Sequence, residues 1–161
     1  APVAYGVQFF WRWSGFSNLC SEVCVTELLV APDVETLVVQ YLNAELATRS
    51  PWTTTEAYTK VPMNRPAAFV RILRTGGTRT RFIDTATLAL ESWADDAITA
   101  SNLAQTVRAL MFNIDRVTYD SITYQFYAPQ EFAGPANLPD PDSVMERYTE
   151  TFSVGVRATA V

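Results

Sequence analysis

The sequence predicts an α+β fold: a mainly antiparallel sheet of about five strands packed by two helices, preceded by an N-terminal arm. Three observations carry this. Two stretches place apolar residues at steps of three and four, the helical spacing. Several others alternate apolar and polar residues at a period of two. That alternation is half-wet, which suits antiparallel strands with one face under helices and the other open to solvent or to a neighbour. The 161 residues fit one domain, with 48% hydrophobic and 18% charged residues, and a chain of this length buries about 70% of its unfolded surface. The arm is expected at 1–28 and the α+β domain at 29–161.

Residues 1–28 are aromatic and lack either period. Phe9, Phe10, Trp11, Trp13 and Phe16 cluster there around Arg12, and they are the candidate docking residues of the arm. A signal peptide places its charge ahead of an aliphatic stretch, so export is not expected, and Ala1 suggests a cytoplasmic product trimmed of its initiator methionine. The first helix is expected at about 33–47, on Val34, Leu37, Val38, Tyr41, Leu42 and Leu46, with Pro32, Asp33 and Glu35 suited to its start. Residues 48–66, rich in Thr, Ser and Pro, read as a loop.

Residues 67–75 and 79–84 read as a hairpin turning at Gly76-Gly77, and 87–93 as a third strand with Leu88 and Leu90 on one face. The second helix is the clearest element. Ala100, Leu103, Ala104, Val107, Leu110, Met111 and Ile114 form its stripe, while Asn102, Gln105, Thr106 and Arg108 face away. Ser92 and Asp95 are spaced as a weak capping box before it. Two strands follow at 117–127 and 147–158. Between them, 128–146 reads as a long loop stiffened by Pro129, Pro135, Pro139 and Pro141.

Several chemistries are excluded by residue type. Histidine is absent, which removes the usual general base, the Ser-His and Cys-His pairs and imidazole ligands. Cys20 and Cys24 are two thiols where zinc needs four ligands, so they read as idle reduced cysteines, with a disulfide or metal as the lesser alternatives. Asp95-Asp96 reads as helix-start acids rather than a catalytic pair. Asp140, Asp142 and Glu146 lack the glycine and the twelfth-position glutamate of a calcium loop. No enzyme, cofactor or metal is therefore expected. The net charge of −5 argues against phosphate backbones and anionic lipid as main partners, and no apolar run approaches the ~20 residues of a membrane span.

Arg65, Arg71, Arg74, Arg79 and Arg81 cluster in the hairpin region with no acid between Glu56 and Asp84. This is either a solvated surface or a patch that pairs with acids of an identical neighbour, such as Asp140, Asp142 or Glu146. Contact with passing DNA is the weaker option. Exposed arginines add little to folding, so alanine at Arg71, Arg74 and Arg79 is expected to spare the fold and weaken assembly.

Three strings in order, Pro66-Ala67-Ala68-Phe69-Val70-Arg71-Ile72-Leu73-Arg74-Thr75-Gly76-Gly77, Thr87-Leu88-Ala89-Leu90-Glu91-Ser92-Trp93-Ala94 and Gly134-Pro135-Ala136-Asn137-Leu138-Pro139-Asp140-Pro141 ahead of Arg147-Tyr148-Thr149, resemble the tail terminator proteins of long-tailed phages of actinobacteria. The resemblance spans about residues 29–158; the arm has no counterpart. It implies a virion protein at the tail-neck junction, assembled in the host bacterial cytoplasm. Such a subunit forms a ring, usually a hexamer, that caps the tail tube, ends its elongation and meets the head-tail connector or stopper, with DNA only as cargo. Pro135, Asn137, Leu138, Pro139, Asp140, Pro141 and Asp142 join the five arginines as candidate contacts to the next subunit or the tube. Another neck protein, of the connector-completion or stopper kind, is the nearest alternative. A small ligand-binding or enzymatic domain is the rival from another class.

Overall fold

Asp33 starts the first helix, α1 (Val34–Leu46), by accepting hydrogen bonds from the Glu35 and Thr36 amides at 3.2 and 3.4 Å. Its apolar stripe, Val34, Leu37, Val38, Leu42 and Leu46, is buried, as the spacing predicts. The computed structural model describes residues 27–160. The arm residues Phe9, Phe10, Trp11, Trp13 and Phe16, with Cys20 and Cys24, lie outside them. The predicted α+β class is observed, with eight strands rather than about five: β1 (Leu29–Val30), β2 (Glu56–Tyr58), β3 (Ala68–Arg79), β4 (Ile83–Ala94), β5 (Arg116–Tyr119), β6 (Ile122–Asn137), β7 (Glu146–Arg157) and β8 (Thr159–Ala160). The second helix, α2 (Ala97–Phe112), joins β4 to β5.

Six strands form one sheet in the order β2-β3-β4-β7-β6-β5, antiparallel except for the β2–β3 pair, and β1 pairs with β8 in a separate ribbon. α1 packs on β2 and β3 at one end of the sheet and on β5 at the other, so the sheet curls around it. The main core lies between the helices and one sheet face: Val70 and Ile72, Leu88 and Leu90, and Phe152, Val154 and Val156 meet Leu37, Leu42, Leu103 and Val107. Period-two alternation sends Phe69 and Trp93 to the opposite face, where Met145 covers them in a second, smaller cluster.

Four expected boundaries are corrected. The stretch 48–66 contains β2, and its Trp52 is buried, with the indole Nε1 donating to Thr106 Oγ1 at 3.1 Å; Thr106 thus does not face solvent freely. Gly76-Gly77 is not the hairpin turn. β3 runs through it to Arg79, the chain turns at 80–82, and β4 is one strand where two were expected. The ladder shifts register between Arg74 and Gly76, and Gly77, at φ +141°, lies so close to the Thr85 carbonyl that any Cβ would collide with it. The stretch 117–127 is likewise split by a two-residue turn, with Asp120 and Ser121 at φ 49° and 64°. Finally, α2 is capped by Asp96, not by Ser92, which lies in β4. Asp96 accepts from the Thr99 hydroxyl at 2.6 Å and its amide at 2.9 Å, and these bonds hold the carboxyl below its ordinary range.

The largest correction concerns 128–146. β6 continues through Pro129 and Pro135 to Asn137, leaving only 138–145 as loop. From Phe126 to Asn137, 12 residues of β6 face the nine of β7 from Tyr148 to Val156. The three surplus residues are taken up at three breaks in register, and Pro129, Phe132 and Pro135 all fall within those breaks. Proline lacks the amide a ladder needs, and a bulge is where a strand tolerates it.

Candidate interaction surfaces

The five hairpin arginines do not form one patch. Arg71 projects from the outer face with Phe69 and pairs with Glu91 at 3.3 Å, while Arg147 approaches the same carboxylate at 3.4 Å and the Trp93 indole donates to it at 3.3 Å. Arg65 and Arg147 lie over the Trp93 ring, 5.7 and 5.2 Å from its centroid, and Phe69 stacks beneath it at 5.6 Å. Arg74 points to the helix-covered face and grips Asp84 with both guanidinium nitrogens at 2.8 and 2.9 Å, and its amide donates to Glu35. Arg79 donates to the Leu29 carbonyl, tying the β1–β8 ribbon to the sheet. Arg65 donates to the Ser143 hydroxyl, and Arg81, over the Phe82 ring at 5.5 Å, forms no ion pair among the described residues. Register thus commits Arg71 and Arg74 to partners within the chain.

The connection 138–145 is short and ordered by its own hydrogen bonds. The Leu138 amide donates to the Arg147 carbonyl at 3.0 Å, and the Arg147 Nε returns a bond to the Leu138 carbonyl at 2.7 Å. Asp140 accepts from the Asp142 amide at 3.1 Å, a side-chain-closed turn, and the Ser143 amide donates to the Asp140 carbonyl. Arg65 anchors the far side by donating to Ser143 Oγ at 2.6 Å. The loop therefore presents Leu138, 51% exposed, and Val144, 99% exposed, on a fixed frame beside Asp140 and Asp142. Pro139 and Pro141 stiffen it, while Pro135 and Asn137 belong to β6.

Residues that a reading by residue type missed stand on the helix-covered side of β6 and β7. Glu150 is 1% exposed with neither carboxylate oxygen bonded, although Arg108 and Glu131 approach it, paired with each other at 2.7 Å. Arg108 is thus engaged by β6 rather than facing away. Burial, then the neighbouring Glu131, pushes the Glu150 acid up to about 8. The signal was present in the alternation: position 150 lies on the apolar face between Tyr148 and Phe152.

Among the described residues, six of the 12 exposed large apolar side chains, Tyr119, Ile122, Tyr127, Phe132, Leu138 and Val144, fall between β5 and the start of β7. β5 pairs with Ile122–Gln125 of β6 and the Phe126 amide donates to the Asp115 carbonyl at 2.7 Å, so the outer edge of β6 beyond Phe126 has no strand partner among the described residues. No group of three or more Cys, Asp or Glu among the described residues is placed to hold a metal, and no described helix is long and apolar enough to cross a membrane. No protein-family model matches the chain, and a search of the curated proteins finds no match.

Proposed function

We propose that this chain is a structural virion subunit that closes into a ring, with six copies as the expected number, caps a phage tail tube and joins it to the head-tail connector. The observation that carries the reading is the apolar outer edge of β6 with its ordered loop. Among the described residues, the exposed Tyr127, Phe132, Leu138 and Val144 lie on β6 beyond its pairing with β5 or on the loop that follows, and Phe132 is 66% exposed at a break in the ladder. Apolar side chains concentrated on one rim are characteristic of surfaces that meet other proteins. The bulges and prolines along that edge oppose indiscriminate strand addition, which favours a docking contact defined by side chains. The order and spacing of the three sequence strings, which resemble tail terminator proteins, support the phage-tail setting of the assembly.

The role is geometric and asks for no bond-making chemistry. A head-to-tail interface that closes gives a ring with two unlike faces, one for the tube and one for the connector. Phe132→Glu tests the edge. Because the side chain is exposed at an irregular position, folding stability is expected to stay within about 0.5 kcal/mol of wild type, while self-assembly measured by sedimentation weakens by at least about tenfold. Unchanged assembly in that variant would remove the β6 edge from the interface.

A further inference from the structure

At the end of the sheet farthest from the 138–145 loop lies a cleft of about 470 Å³. Its walls come from the β3–β4 turn, the start of β6, the end of β7 and the β1–β8 ribbon, and include Arg81, Phe82, Tyr124, Gln125 and Arg157, with Glu27 also on its lining. Arg81 and Arg157 are both exposed and form no ion pair among the described residues. They are two guanidinium forks beside two aromatic rings, without an acid partner among the described residues, on a chain that is acidic as a whole. Such a cleft suits a partner that brings carboxylates together with apolar side chains.

We infer that this cleft receives the 138–145 loop of a second copy of the same chain, Asp140 and Asp142 meeting Arg81 and Arg157 while Leu138 or Val144 packs on Phe82 and Tyr124. The chemistry of the two surfaces is complementary in both charge and apolar content. The loop enters already ordered by its internal bonds and by Arg65, so little conformational entropy is lost on docking. No chain can satisfy itself in this way. β4 has Ile83 at the cleft end and Ala94 at the loop end, and 12 extended residues separate the two by roughly 36 Å. The contact is therefore between unlike surfaces of two copies, the kind that builds rings. It also replaces the five-arginine patch with Arg81 and an arginine, Arg157, that lies far from it in sequence.

This inference rests on the ring reading, and its test separates the two. Three variants are compared with wild type by mass photometry or sedimentation, with circular dichroism to confirm folding: R81E/R157E, D140R/D142R, and the four changes combined. Each pair of reversals is expected to raise the concentration for half-assembly by at least about tenfold, as mispaired charges at an interface do. The combined variant, in which both signs are exchanged, is expected to assemble at least about threefold better than either pair variant, the remaining deficit being imperfect geometry and the turn bond from the Asp142 amide that Asp140→Arg gives up. Wild-type assembly by either pair variant overturns the inference and leaves the ring reading standing. So does failure of the combined variant to improve on the pairs, which would assign the cleft to another occupant such as residues 1–26. A wild-type protein that stays monomeric at every concentration overturns both.

Discussion

Replacing Glu150 by glutamine is expected to stabilise the fold by roughly 2–4 kcal/mol at pH 9 while leaving it nearly unchanged at pH 4.5. Glu150 lies on the helix-covered face of β7 with both oxygens unbonded, under Arg108 of α2 and beside Glu131 of β6. Desolvation is the main cause of its raised value of about 8 against 4.5, Glu131 adds to it, and Arg108 opposes it. Between those two values the folded chain holds a proton that the unfolded chain has released. The contribution of Glu150 to stability is therefore full below pH 4.5, falls as pH rises through the window and levels off above 8. Glutamine carries no proton to lose, so the difference between variant and wild type, followed by urea unfolding at several pH values, should grow with pH. A difference that is flat from pH 4.5 to 9 would mean that Glu150 is solvated and ionised in the folded chain.

Alanine at Arg74 is expected to cost about 2–3 kcal/mol, below the 3–5 kcal/mol typical of breaking a buried pair because the arginine itself is partly exposed. Its partner Asp84 is only 3% exposed, and the two guanidinium bonds are the side-chain contacts that hold its carboxylate. Removing the cation leaves a buried acid unpaired between the sheet and the N-terminal end of α1. The expectation that alanine at Arg71, Arg74 and Arg79 leaves folding untouched therefore does not extend to Arg74. A double-mutant cycle with Asp84→Asn reads the coupling directly: the double variant should be less destabilised than the sum of the single changes. Additive losses would show that the pair contributes through shape rather than charge.

The two helices were legible because nothing competes with their stripes: Val34 to Leu46 and Ala100 to Ile114 repeat at helical spacing, and acids stand at their starts. The outer half of β6 was not legible, because Pro129, Gly134 and Pro135 are loop residues by propensity, and only pairing with β7 places them in bulges. Gly76-Gly77 has the composition of a hairpin turn, yet the glycine is required by the closeness of Thr85 across the ladder, a tertiary demand. β2 has three residues and pairs in parallel, too short to carry a period. The candidate surfaces divide in the same way. Arginines and aspartates are visible as charges, but which of them remain free depends on register: Arg71 meets Glu91 and Arg74 meets Asp84 across β3 and β4. Arg157 and Arg81 share a cleft only after the sheet has formed.

Capping a growing tube is the central claim, and it is measured most directly by adding the purified protein to polymerising tail tube subunits and imaging the products by electron microscopy. The account predicts tubes that stop lengthening as the protein is added, each with a single ring of this chain at one end. Tubes that reach their usual lengths with bare ends, alongside a protein that remains monomeric, would contradict it.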